Sequence, residues 1–185
     1  MSDYVATPYG TVEKRVLTLA ANIRLLVCDV DGVLSDGLIY MGNDGEELKT
    51  FHTHDGFGIK ALLNAGIQVA VITGRSSAIV QRRMQALGVQ HIYQGQGDKM
   101  PAFDDLLHKL ALTPAQAAYI GDDVIDLPVM RHAALGIAVS NAHPLVQQKA
   151  DWITRTRGGY GAVREACDLI LQAQGLLDTA KGTSV

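Results

Sequence analysis

Short apolar runs alternate with amphipathic stretches along most of this chain, and the change of period marks out the elements. Leu25-Leu26-Val27-Cys28 is apolar at every position, which predicts a strand over about 24–30 with both faces buried. Apolar, partly β-branched runs predict further strands over 67–72, 91–93, 117–120, 136–139 and 151–153. Helical spacing fills the gaps. Helices are predicted over 55–64 with Asp55 as cap, 76–87 capped by Ser76 and closed by Gly88, 101–110, 126–132, 144–149 and 162–174, with a brief turn at Thr113-Pro114. At the front, residues 1–10 read as a loose arm, and Thr11 as the cap of a short helix to about 21. Gly158-Gly159-Tyr160-Gly161 reads as a flexible loop, and 178–185 as a flexible tail.

One segment breaks the alternation. Leu38-Ile39-Tyr40-Met41 and Glu46-Glu47-Leu48-Lys49-Thr50-Phe51 flank Gly42-Asn43-Asp44-Gly45, so about 38–51 reads as a β-hairpin. A lone hairpin is barely stable in water and needs its own domain or a neighbouring subunit to pack on. The rest gives an α/β fold: one domain over 1–185 with a Rossmann-like parallel sheet, helices on both faces, and a small hairpin insert after the first strand in place of a cap domain. Such a sheet binds ligands beyond the carboxyl ends of its strands.

Composition narrows the partners. Hydrophobic residues are 48% and charged residues 19% of the 185, enough apolar material for a full core. A net charge of −3 with no Lys/Arg run gives no footprint for nucleic acid, and no apolar stretch reaches the ~18 residues of a membrane span. The two cysteines, Cys28 and Cys167, read as reduced, mostly buried thiols, which fits a cytoplasmic location.

The strand ends carry the candidate chemistry. The first strand stops in Asp29-Val30-Asp31-Gly32, two carboxylates one residue apart. Asp is depleted in strands and rarely fully buried unless paired or metal-bound. The pair therefore reads as a Mg²⁺ site in which one Asp is also a nucleophile, or as a turn cap followed by an Asp-Gly turn. The second strand ends Thr73-Gly74-Arg75, where a hydroxyl and helix-start amides suit a phosphate, or simply cap a turn. The fourth ends Gly121-Asp122-Asp123, with Asp126 one helical step on; Asp123 and Asp126 can equally be helix-start acids. Lys99 precedes a helix in a loop that opens on the same edge. Gathered at one edge, these residues would suit a phosphatase. Asp29 attacks phosphorus, Asp31 protonates the leaving alkoxide and then deprotonates water, Thr73 and Lys99 hold the phosphoryl oxygens, and Mg²⁺ takes carboxylate and carbonyl oxygens.

Asp29-Val30-Asp31-Gly32-Val33, Thr73, Lys99 and Gly121-Asp122-Asp123-Val124-Ile125-Asp126, in that order, resemble the four motifs of the haloacid dehalogenase superfamily of phosphatases. The resemblance implies that Asp29 and Asp122 bind Mg²⁺ by side chain and Asp31 by its carbonyl, with Asp126 in support. The hairpin in place of a cap, Phe51-His52-Thr53-His54-Asp55-Gly56-Phe57-Gly58, Ile72-Thr73-Gly74-Arg75 and Arg157-Gly158-Gly159-Tyr160-Gly161-Ala162-Val163-Arg164 are similar to the family of 3-deoxy-D-manno-octulosonate 8-phosphate phosphatases over nearly the whole chain. Tyr160 departs from that pattern, since members often have a shorter Gly-rich turn with Arg there. This second resemblance implies a sugar acid phosphate substrate of lipopolysaccharide precursor biosynthesis. It implies substrate contacts from Asp31, His52, Thr53, His54, Asp55, Gly56, Lys60, Arg75, Arg83 and Lys99. It also implies a homotetramer whose hairpins pack together and whose neighbours complete each active site. Read from residues alone, Arg83 beside Arg82 is equally a solvated charge, and His52 and His54 equally surface residues.

Three rivals stand beside this reading. The same machinery can serve another sugar acid phosphate, such as the nine-carbon 9-phosphate. A non-catalytic phosphatase-like module is opposed by the presence of both Asp29 and Asp31. A phospho-acceptor receiver domain carries its acceptor on a later strand.

Overall fold

The computed structural model describes residues 3–183. The chain opens with β1 (Tyr4–Thr7) and β2 (Gly10–Glu13), then α1 (Lys14–Ala20) and β3 (Leu25–Cys28). The insert forms β4 (Tyr40–Met41) and β5 (Glu47–Leu48). Helix and strand then alternate through α2 (Thr53–Asn64), β6 (Gln68–Ile72), α3 (Ala78–Leu87), β7 (His91–Tyr93), α4 (Met100–Leu110), β8 (Ala117–Gly121), α5 (Leu127–His132), β9 (Leu135–Ala138), α6 (Pro144–Lys149), β10 (Trp152–Ile153) and α7 (Ala162–Ala173).

Six strands form one parallel sheet in the order β10-β9-β8-β3-β6-β7. The four residues of β3 are all buried, as an apolar run covered on both faces requires. The chain leaves β3 for β6 on one side and later returns to β8 on the other, so the strand order reverses at β3. A crevice opens at such a reversal, at the carboxyl ends of the strands. Register lines the ends up. Cys28 lies opposite Val71 of β6 and Ile120 of β8, which brings Asp29, Thr73 and Asp122 out on one edge.

The expected α/β sheet and hairpin insert are present. Several boundaries differ, each for a local reason. Residues 4–13 are an antiparallel hairpin rather than part of a loose arm; Met1 and Ser2 of the expected arm lie outside the described residues. Thr7 turns it: the Thr7 hydroxyl donates to the Gly10 carbonyl and accepts the Tyr9 amide. Gly10 takes the left-handed φ of +118° that the turn needs. Thr11 is thereby committed to a strand, and α1 starts after Glu13. Ser77, not Ser76, is the N-cap residue of α3, and its side chain makes no capping bond.

Asp55 does not cap its own helix. His52 does, its ring accepting the His54 amide at 3.1 Å. Asp55 lies within the first turn of α2, buried, and its Oδ1 accepts the Arg164 amide at 2.8 Å in the first turn of α7. Gly161 opens α7 without a side chain to cap it, so a carboxylate from α2 satisfies that helix start. Burial raises the Asp55 carboxyl to about 7, against the backbone N–H groups that hold its charged form.

The 158–161 segment is packed rather than flexible. Its amides are bonded, Gly158 N–H to Asn141 Oδ1 and Gly159 N–H to the Val33 carbonyl. A Cβ on Gly158 would run into the Gly32 carbonyl, and one on Gly159 into the backbone of Ser35 and Asp36. The glycines thus let this segment lie directly under the turn that carries Asp31. Near the C-terminus, a 3-10 turn at Leu177–Thr179 leads the chain back over α2, where Asn64 Nδ2 donates to the Lys181 carbonyl at 2.7 Å. Ser184 and Val185 of the expected tail lie outside the described residues.

Overpacking of this kind costs about 1–3 kcal/mol. Gly158→Ala is therefore expected to lower the melting temperature in a thermal scan and to reduce activity by moving the Asp31 turn; an unchanged melting temperature would show that the segment yields freely.

Candidate active site

At the centre of the crevice is a buried charge cluster. Asp29 follows β3 directly, is 6% exposed, and its Oδ1 accepts the Val30 amide at 2.7 Å. Lys99, just before α4, is 2% exposed and its ammonium lies 3.0 Å from Asp29 Oδ1. The same ammonium donates to Asp126 Oδ1 at 2.7 Å and to the Tyr119 hydroxyl at 3.1 Å. A lone buried ammonium is costly, so these three oxygens are what allow Lys99 to sit there.

Asp126 is fully buried and its carboxylate is saturated. Oδ1 accepts from Lys99 and from the Tyr119 hydroxyl at 2.7 Å; Oδ2 accepts the amides of Asp122 and Asp123 at 3.0 and 3.1 Å. It therefore shapes the loop that presents Asp122 and has little capacity left for a ligand. Asp123 meets its structural alternative, capping the 3-10 turn that follows by accepting the Val124 amide. The Asp122 carboxylate lies over Gly32, where any Cβ would clash with its Oδ2.

Among the described residues, Asp29, Asp122 and Asp126 form a group whose oxygens lie within 4.8 Å of one another. Burial, then the Asp126 charge, raises Asp29 to about 7, with Lys99 pulling the other way. Burial, then Asp29 and Asp126, raises Asp122 to about 8. For Lys99, burial disfavours the ammonium, but the charges of Asp29 and Asp126 outweigh it and the pKa is raised. Carboxylates this close, with one ammonium among them, carry more negative charge than the protein neutralises. An oxygen-seeking divalent cation suits that donor set.

The crevice is a cavity of about 290 Å³ lined by Asp29, Asp31, Thr73, Arg75, Lys99, Asp122 and their neighbours. It thus brings together six predicted site residues. The Val30 carbonyl takes the amides of Val33, Leu34 and Ser35, which folds the turn after β3 and sets Asp31 at the mouth.

The other predicted contacts lie elsewhere in the chain. His52, Thr53 and His54 form the start of α2, the two imidazoles 4.6 Å apart and edge to face. Asp55, Gly56 and Arg83 gather between α2, α3 and α7, where the missing side chain of Gly56 leaves room for the Arg83 guanidinium. Lys60 is about 10 Å further along α2 from Thr53 at the usual helical rise. It lines a separate groove with Leu63, Asn64 and Gln68, at the opposite end of β6 from Thr73.

Three contributors were not read from the sequence: Tyr119, Glu47 and Lys49. Lys49 pairs with the Asp31 carboxylate, and Glu47 Oε1 with Arg75 at 2.9 Å, so the hairpin reaches the mouth of the crevice. Tyr119 looks like any core aromatic in an apolar strand. Glu47 and Lys49 carried a usable signal, since residues two apart on a strand share a face.

Comparison with known proteins places this chain. A family profile described as haloacid dehalogenase-like hydrolase matches residues 89–165. The chain is similar to the 3-deoxy-D-manno-octulosonate 8-phosphate phosphatase KdsC of Salmonella typhi, 58% identical over 181 residues that span 98% of this chain and 96% of that protein. The crystal structure of 3-deoxy-D-manno-octulosonate 8-phosphate phosphatase from Yersinia pestis matches with a TM-score of 0.98 and 55% identity, covering all of both chains. That of the Moraxella catarrhalis phosphatase, in complex with a magnesium ion, a phosphate ion and a KDO molecule, matches with a TM-score of 0.87 and 48% identity over 89% of this chain and 94% of that one. The chain belongs to the haloacid dehalogenase-like hydrolases and, within them, to the family of 3-deoxy-D-manno-octulosonate 8-phosphate phosphatases.

Proposed function

We propose that this enzyme hydrolyses 3-deoxy-D-manno-octulosonate 8-phosphate to the free sugar acid and phosphate, in the cytoplasm, as a step of lipopolysaccharide precursor biosynthesis. The observation that carries the reaction is the contact of Asp29 with Lys99 in a crevice that also holds Asp31, Thr73 and Asp122. The similarity to phosphatases of that name supports the substrate. Two buried free thiols, Cys28 and Cys167, support a reducing compartment.

The residues divide the work as follows. Asp29 attacks phosphorus, and the bond from phosphorus to the sugar oxygen breaks. Its position at the end of a buried strand fixes the angle of approach. The Val30 amide and Lys99 hold Asp29 Oδ1, leaving Oδ2 without either donor. Asp31, at the mouth, gives a proton to the departing alkoxide. It then takes one from the water that cleaves the aspartyl-phosphate and restores Asp29. The Thr73 hydroxyl holds a phosphoryl oxygen, and Lys99, whose three protons face Asp29, Tyr119 and Asp126, acts on the phosphoryl group through its charge. Asp29 and Asp122 by side chain and Asp31 by carbonyl would hold Mg²⁺, with Asp126 fixing the Asp122 loop; when bound, the metal neutralises phosphate charge so that a carboxylate can approach. The magnesium in the Moraxella catarrhalis complex supports that choice of cation.

Of the remaining predicted contacts, His52, Thr53 and His54 stand at the start of α2, where a neighbouring subunit's site could take them; Asp55 and Gly56 are buried beside Arg83 between α2, α3 and α7, and Lys60 lines its own groove, so these four do not share one substrate pocket with them in this chain. The hairpin supports a homotetramer, since Leu38, Ile39, Met41 and Leu48 are each at least 60% exposed. Clustered apolar exposure of that kind marks an interaction surface. Sedimentation as a monomer at assay concentrations would overturn this assembly.

Phosphate release across a panel of sugar phosphates is expected to favour the eight-carbon acid phosphate, and Asp29→Asn to abolish turnover on every member. Even activity over unrelated substrates would remove the substrate assignment, and full turnover by Asp29→Asn would remove the nucleophile. Metal dependence has its own test. Asp29 and Asp122 stand above the ordinary carboxylate value of 3.8, near 7 and 8, so the metal-free fold binds their protons more tightly than the unfolded chain does. That stabilisation is complete below about 4 and is lost as pH rises toward 8. Metal-free protein is therefore expected to lose melting temperature between pH 5 and 8, with Mg²⁺ restoring most at pH 8 and Asp122→Asn flattening the decline. A metal effect independent of pH would contradict the cluster's role.

A further inference from the structure

The hairpin brings charge, as well as apolar surface, to the active site. Glu47 and Lys49 are two residues apart, in and just after β5, and share the face turned to the crevice; Leu48 between them is 68% exposed. Glu47 pairs with Arg75 at the end of β6. Lys49 pairs with Asp31, and its side chain is only 4% exposed. A lysine is seldom buried this far unless paired. The two carboxylates that leave β3 are thus supported from different places. Asp29 is held by the main chain and by Lys99 from the core, whereas Asp31 takes its ion pair from the hairpin.

We propose that Lys49 is a positioning residue for the reaction: its ammonium holds the Asp31 side chain where, once protonated, the carboxyl group can give its proton to the leaving oxygen and, as the carboxylate, can then take one from water. This inference rests on the reading of Asp31 as the acid and base. The hairpin, the distinguishing insert of this chain, then takes part in the chemical step as well as closing the site. The geometric demand is strict, because a proton passes only over hydrogen-bond distance and a misplacement of about 1 Å can cost about 10²-fold. Asp31 sits on a turn rather than within a strand, and its side chain is 29% exposed. A carboxylate so placed has other rotamers open to it, and an ion pair from a buried lysine selects one of them.

The test uses leaving groups. A sugar alkoxide departs poorly unless protonated, whereas p-nitrophenolate leaves without a proton. The full-length Mg²⁺ enzyme is assayed for kcat/KM, which reads steps up to loss of the leaving group, on the sugar acid phosphate and on p-nitrophenyl phosphate. Lys49→Met and Lys49→Gln are expected to lose about 10- to 100-fold on the sugar phosphate and less than about 3-fold on the aryl ester, with Lys49→Arg recovering part of the loss. Equal losses on both substrates, as a merely structural or phosphate-binding role gives, would overturn the proposal, as would no loss on either. Asp31→Asn separates the two readings. If it shows the leaving-group difference and the Lys49 variants do not, the Lys49 assignment alone fails. If Asp31→Asn shows none, the acid assignment fails and this inference with it.

Discussion

The structure depends on solving one electrostatic problem: carboxylates crowded at a sheet edge with a single buried ammonium among them. Asp29, Asp122 and Asp126 bring their oxygens within 4.8 Å of one another, and Lys99 is the cation embedded there. Desolvation makes such a group unstable unless every charge is answered. The surroundings answer in part. Asp126 is fully satisfied by Lys99, Tyr119 and two amides, while Asp29 and Asp122 stay protonatable near neutrality. The unpaired carboxylate charge that remains on Asp29 and Asp122 suits a divalent cation. The parallel sheet supplies the rigidity, since three neighbouring strands in fixed register deliver Asp29, Thr73 and Asp122 to one edge.

Around this centre, two distant segments meet the turn after β3. The glycines at 158 and 159 let the C-terminal segment lie against the backbone of Gly32 to Asp36. From the other side, the hairpin reaches Asp31 through Lys49 and Arg75 through Glu47. The helices are tied to the same frame, as where Asp55 of α2 closes the start of α7. The hairpin stands at the mouth of the site, with the apolar side chains of Leu38, Ile39, Met41 and Leu48 exposed on it.

Much of this was legible in the sequence where the signal is local. An apolar run such as 25–28 can be little but a buried strand, and polar residues directly after successive strands announce a site at their common edge. Asp29, Asp31, Thr73, Arg75 and Asp122 in the crevice were readable for that reason, and Lys99 because its loop opens on the same edge. Contacts between distant segments were not. Asp55 looks like a helix cap, and only the tertiary fold shows that the helix it caps is α7. Gly158-Gly159 reads as flexibility when glycine is weighed for its freedom, whereas here the absent side chains permit close packing. Tyr119 is indistinguishable from a core aromatic until its hydroxyl meets Asp126. Thr11, read as a cap, went to a strand because Thr7 and Gly10 had already made a turn.

If Asp29 is the nucleophile, it carries the phosphoryl group between the two half-reactions. The most direct measurement is an acid quench of Asp31→Asn during turnover of p-nitrophenyl phosphate, followed by peptide mass spectrometry. The leaving group then needs no proton, while breakdown of the acyl phosphate lacks its base. A phosphoryl adduct is expected on the peptide containing Asp29, lost when Asp29 is also replaced by Asn. Phosphate release with no protein-bound phosphoryl group, or an adduct on another residue, would contradict it.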